Sequence, residues 1–140
     1  MTPTHATWRA VAVLFAAACL LPSSGCASAV VRTPDCTALP QGSLPDSAGS
    51  LTERDTGTYC LPLGGRVDIF LTAHPQNDRW QRPQNSAPGL LQPTSTGIMT
   101  APVGVTVAML VATAPGTAAL SSDTTSGHHW RVTLVVGPKG

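Results

Sequence analysis

Apolar side chains recur at every second position through the C-terminal two-thirds of this chain, and that rhythm decides what it can fold into. Successive side chains on an extended strand point to opposite faces, so a period of two puts an oily stripe on one side of a ribbon. In RVDIFLTA, Val67, Ile69 and Leu71 share one face, and Arg66, Asp68, Phe70 and Thr72 share the other. In HWRVTLVV the stripe is Trp130, Val132, Leu134 and Val136. GVTVAMLVATA (104–114) sets Val105, Val107, Met109 and Val111 against Thr106, Ala108, Leu110 and Ala112. Both of its faces are apolar, which predicts a central strand covered on both sides. No segment after the first 25 residues carries a helical period, and no repeat of roughly 20–50 residues occurs.

Turn-forming residues punctuate these runs. Gly64-Gly65 separates TYCLPL from RVDIFLTA, and Pro115-Gly116 precedes GTAALSS. LLQPTSTGIM supplies two short apolar pieces around a turn, and HPQNDRWQRPQNSAPG is polar apart from Trp80. VATAPGTAAL, followed by the closing WRVTLVV, resembles the end of bacterial Ig-like domains. RVDIFL and the later DRW are similar to their strands B and C, with Trp80 at the place of the buried core tryptophan. The expectation is an all-β chain: an Ig-like antiparallel sandwich of about seven short strands over residues 57–137, with Trp80 and Trp130 inside. The B–F disulfide of antibody domains has no counterpart, since Cys36 and Cys60 both precede the core strands.

The start of the chain reads as an export signal. Arg9 stands against an apolar run of about 13 residues (10–22), a usual length for a signal core and short of the ~20 that a spanning helix needs. Ser23-Ser24-Gly25-Cys26 resembles the lipobox of bacterial lipoproteins, which implies lipid attachment to Cys26 and cleavage ahead of it. Ser23 departs from the aliphatic residue usual there. Ala27-Ser28-Ala29 is a competing A-x-A site for the ordinary signal peptidase. Residues 1–25 are thus assigned to the signal and 26–56 to a Pro/Ser/Gly-rich flexible arm or tether. Residues 57–137 are assigned to the sandwich.

Cys19 leaves with the signal, and Cys36 and Cys60 remain as an even pair. Outside the cell a disulfide between them is the expected state. Closing a loop of about 25 residues stabilises a fold by roughly 3 kcal/mol in the chain-entropy model.

Without residues 1–25 the chain loses only Arg9 among its eight basic residues, so seven basic groups face seven acidic ones. A neutral surface with no Lys/Arg cluster argues against nucleic acid as a partner. Chemistry-bearing patterns are scarce. His128-His129 with His74 suggests a metal site, but adjacent strand residues point to opposite faces, and no C-x₂-C or H-x-H spacing supports one. Glu53 is the only Glu, the aspartates (Asp46, Asp55, Asp78 and Asp123) sit in turn-like contexts, and no nucleophile elbow or phosphate loop occurs. The chain therefore reads as a non-enzyme with no cofactor and no metal site.

The partner-facing parts of such a sandwich are its loops, here 74–79, 94–104 and 121–129. Their candidate binding residues are His74, Pro75, Arg79, Arg82, His128 and His129. Arg79-Trp80-Gln81-Arg82 fits a strand with Trp turned in and Arg turned out. The chain also resembles, distantly, the chagasin-type cysteine protease inhibitors, which hold three loops against a papain-like cleft. HPQNDRW keeps Pro75 and Trp80 of their first loop, APVGVTVAML has one Gly in place of several, and SSDTTSGHHW lacks the Arg-Pro-aromatic of the third. The reading is an exported, lipid-anchored surface binding module without catalytic activity. Its partners are the membrane, through the anchor, and an extracellular protein or cell-wall component. The alternative is an extracellular cysteine protease inhibitor, and A-x-A cleavage would make the protein secreted.

Overall fold

The computed structural model describes residues 35–75, 77–95 and 100–138. The expected signal (1–25), the candidate lipidation residue Cys26 and the alternative cleavage site (27–29) lie outside the described residues. Nine strands and no helix occur among the described residues: β1 (Thr37–Ala38), β2 (Gly49–Thr52), β3 (Gly57–Pro62), β4 (Arg66–Thr72), β5 (Gln84–Asn85), β6 (Leu91–Pro93), β7 (Val105–Ala112), β8 (Gly116–Asp123) and β9 (His129–Gly137). They form a five-stranded sheet in the order β1-β3-β9-β8-β5 and a four-stranded sheet in the order β2-β4-β7-β6. The all-β, Ig-like sandwich expected from the sequence is present.

The sheets are mixed, not purely antiparallel. β1 with β3, β3 with β9, and β2 with β4 run parallel. The cause lies in the turns. At Gly64-Gly65 the chain crosses from one sheet to the other, with Gly64 at φ +81° and the Gly65 N–H donating to the Pro62 carbonyl at 2.8 Å. A side chain at a positive φ is strained, so glycine suits that corner. Because consecutive strands change sheet, neighbours within a sheet come from distant segments, and several happen to run the same way.

The alternating stripes make the core. Val67, Ile69 and Leu71 of β4 meet Trp130, Val132, Leu134 and Val136 of β9, with Leu51, Leu61, Leu91, Leu120 and Trp80 filling between them. Burying each of the large aliphatic side chains contributes about 1.5–3 kcal/mol relative to exposure. β7 does lie inside its sheet, between β4 and β6, but it is not covered on both sides. Leu110 and Ala112 are buried, and on the outer face Met109 is buried while Val105, Val107 and Val111 stay partly exposed.

The assignment of 26–56 to a flexible arm is corrected over its described part. β1 and β2 belong to the two sheets, and Leu51 is fully buried in the core. Cys36 and Cys60 form the expected disulfide, with Cα atoms 5.1 Å apart. Asp68, on the face of β4 opposite the apolar stripe, is also buried. Arg66 closes a two-point bridge on it (2.8 and 3.2 Å) and also donates to the Pro45 carbonyl at 2.7 Å. A buried carboxylate needs such a partner, and the fork of the guanidinium supplies two donors in plane. Gly49 is crossed so closely that a Cβ there would stand 2.4 Å from Leu39 Cβ and 2.6 Å from the Pro40 carbonyl. A segment poor in apolar side chains is thus ordered by backbone pairing, one leucine, one disulfide and one ion pair.

Candidate functional site

The C-terminal end of β4 and the N-terminal ends of β7 and β9 lie at the same end of the sandwich, since Thr72 pairs with Val105, and β8 ends opposite the start of β9. Three connections therefore gather there: residues 73–83 after β4, the segment ending at Gly104 before β7, and the β8–β9 turn at 124–128. The β2–β3 turn (53–56) joins them. Of the predicted loops, 121–129 is shorter than expected, because β8 runs to Asp123 and β9 starts at His129. Residues 76 and 96–99 of the other two lie outside the described residues.

Hydrogen bonds knit these connections together. The Ala73 N–H donates to the Gly104 carbonyl at 2.9 Å. The Trp80 indole N–H donates to the Thr72 carbonyl at 3.0 Å, and the Trp80 carbonyl accepts from Thr106 Oγ1 at 2.8 Å. Trp80 also bridges to Thr124, the Gln81 N–H donates to the Asp123 carbonyl, and Ser122 Oγ donates to the Gln81 carbonyl at 2.6 Å. One tryptophan thus seats the 73–83 segment against both sheets. In the β2–β3 turn, Glu53 Oε2 accepts from the Thr72 N–H at 2.9 Å, and the Asp55 carbonyl accepts from the Trp130 indole at 2.9 Å.

Asp78 fastens the first loop to the third. Asp78 is 6% exposed. It accepts hydrogen bonds from the Arg79 N–H (2.9 Å), Thr125 Oγ1 (2.6 Å), the Ser126 N–H (3.3 Å) and Ser126 Oγ. The hydroxyls of Ser126 and then Thr125 hold the carboxyl well below the usual carboxylate range, because each donor stabilises the charged form. The β8–β9 turn is itself closed by Thr124, whose N–H donates to the His128 carbonyl and whose hydroxyl accepts from the His128 N–H.

His74, Pro75, Arg79, Arg82, His128 and His129 are all exposed at or near this end. His74, His128 and His129 line a single cavity of about 270 Å³ floored by Trp80 and Thr124, with Glu53 on its wall. Adjacency does not separate His128 from His129, because His128 still belongs to the turn while His129 opens β9. His129 Nδ1 lies 2.6 Å from Asp123 Oδ1, both side chains being exposed. Among the described residues no group of three or more His, Cys, Asp or Glu is placed to hold a metal ion. Arg82 stands outside the cavity, on the segment running to β5. Trp80 and Trp130 are buried, as the sequence predicts. At the tip of the segment before β7, Val103 is 82% exposed, the only large apolar side chain among the described residues left so open.

Sequence reasoning missed Asp78, Glu53, Thr125 and Ser126. Asp78 reads as an ordinary turn residue, and its partners are 47 and 48 positions away. No local signal marks it.

No protein-family model matches the chain, and no curated protein matches it either. The sandwich is similar to the crystal structure of a cysteine protease inhibitor from Entamoeba histolytica, EhICP2. The TM-score is 0.50 at 16% sequence identity, covering 63% of this chain and 93% of that one. It is also similar to the solution structure of amebosin, with a TM-score of 0.42 at 14% identity, covering 63% of this chain and 96% of that one. At such identities the likeness is one of fold.

Proposed function

We propose that this protein is a non-catalytic, protein-binding sandwich that blocks a papain-like cysteine protease with the end formed by residues 73–83, 100–104 and 124–128. The observation that carries this reading is the convergence of three connections on one end, held in fixed relation by Trp80 and Asp78. Loops ordered before contact lose little further conformational freedom on binding, which is how inhibitors of standard interface size reach high affinity. Val103 offers an exposed apolar side chain with Arg79 beside it, and His74 and Pro75 are exposed at the same end. Similarity of fold to a cysteine protease inhibitor favours this reading over a general surface-binding module.

The disulfide fits an oxidising, extracytoplasmic compartment. Lipid attachment at Cys26 extends the proposal: the sandwich would then be tethered to a membrane by the short stretch between Cys26 and Cys36, with its loop end free. The test is titration of papain with the purified protein, reading hydrolysis of a fluorogenic dipeptide substrate. Competitive, one-to-one inhibition in the nanomolar range, weakened by Pro75→Ala, is the expected result. Full protease activity in the presence of micromolar protein overturns the reading.

A further inference from the structure

All three imidazoles among the described residues, His74, His128 and His129, stand at the loop end and face one cavity. The charged groups around them come from every connection at that end. The β2–β3 turn gives Glu53, Arg54 and Asp55. The segment after β4 gives Asp78, Arg79 and Arg82. β8 and β9 give Asp123 and Arg131, and residues 100–104 give none. Four guanidinium groups therefore face four carboxylates, and with neutral imidazoles the end carries no formal charge. Imidazole is the side chain that ordinarily changes charge between pH 5 and 8. Protonating all three moves this end from neutral to a formal +3.

The signs are also sorted by depth. Asp78 is buried under Thr125 and Ser126, Asp55 accepts from the Thr52 N–H (2.7 Å) and hydroxyl (2.8 Å), and Glu53 accepts from the Thr72 N–H. Asp78 is thus buried and Asp55 and Glu53 are half-buried, Glu53 on the cavity wall, while Arg54, Arg79, Arg82 and Arg131 are exposed, as the histidines are. Asp123 is the exception, exposed but paired with His129. The net charge that a partner meets at this end is therefore set by the imidazoles.

We propose that the loop end is an acid-gated docking surface for an acidic partner, in which protonation of His74, His128 and His129 converts a formally neutral end into a cationic one. This rests on the reading that the loop end faces the partner, and it adds the partner's charge and the condition for engagement. Complementary charge of this kind acts over about a Debye length and raises both encounter rate and affinity.

The probe is a hexaglutamate peptide, followed by NMR on the isotope-labelled protein at pH 5.5 and pH 7.5 in low salt. Binding about tenfold tighter at pH 5.5 is expected, from three further exposed charge contacts, with shifts at the Trp80 indole and the three imidazoles. Hexalysine should not bind at either pH. The combined variant His74→Asn, His128→Asn and His129→Asn should keep the wild-type melting temperature at pH 7.5 and lose the pH dependence. The single variant His128→Asn, an exposed position, should lower the pH effect by about half a log unit or less. Binding of equal strength at both pH values, shifts confined to other faces, or no binding in acid overturns the proposal. Papain titration at one fixed pH tests the inhibitor reading separately. Acid-dependent hexaglutamate binding without papain inhibition would leave this surface standing and remove the protease.

Discussion

Replacing Cys36 and Cys60 together by serine should cost the folded state roughly 3 kcal/mol. The bridge spans 24 positions, and loop closure in the unfolded chain carries an entropy that grows with the logarithm of that span. For a domain of about 100 ordered residues the entropy of unfolding is about 0.2 kcal/mol per kelvin, so the melting temperature should fall by roughly 14 °C. Circular dichroism melts of the wild type and of Cys36→Ser/Cys60→Ser, without reductant, give the number directly. Function should part from stability here. Cys60 pairs with Val135, six positions along β9 from His129, which places the bridge about 20 Å from the loop end at the usual rise per strand residue. Well below its melting temperature the double variant should therefore inhibit papain like the wild type. A fall under about 4 °C would refute the reasoning, because it would mean that residues 36–56 do not belong to the cooperative unit.

Other substitutions probe the two ends of the molecule. Asp78→Asn should lower the melting temperature by an amount that depends on pH. A carboxyl held below its ordinary range stabilises the fold above that range and loses the contribution as pH falls through its folded value. The gap between wild type and variant should thus be full at pH 5 and shrink below about pH 4, and a constant gap would contradict the latch. Trp130→Ala should destabilise by about 3–5 kcal/mol through loss of a fully packed indole. Trp130→Phe should lose only about 1 kcal/mol for the bond to the Asp55 carbonyl plus a smaller packing term. Both are read from denaturant midpoints. Cys26→Ala should move the protein from the membrane fraction to the medium, and an intact mass beginning at unmodified Val30 in the wild type would end the anchor proposal.

Much of the sandwich is legible in the sequence because burial on one face of a strand writes itself as a period of two. β4, β8 and β9 show it, and Trp130 falls where the stripe of β9 demands. β2 does not, since GSLT holds one leucine among small polar residues and owes its place to a parallel ladder with β4. Such a segment carries the composition of a linker, and only its partner strand makes it structure. The burial of Asp68 is not legible for a related reason: period two puts it only on the face opposite the stripe, and it is Arg66, bonded also to the Pro45 carbonyl, that pairs with it there. At the loop end the exposed candidates could be named from loop position alone. Asp78 could not, because its burial is made by a hairpin that arrives 47 residues later. The gathering of His74 with His128 and His129 has the same origin, a meeting of β4 with β9 ends that no spacing encodes.

The loop-end account is tested most directly by amide hydrogen exchange of this protein, alone and with papain whose active-site thiol has been blocked by a small alkyl group. The account predicts slowed exchange in 73–83, 100–104 and 124–128, and unchanged exchange on the outer faces of both sheets. Protection confined to a sheet face, or none at saturating papain, would contradict it.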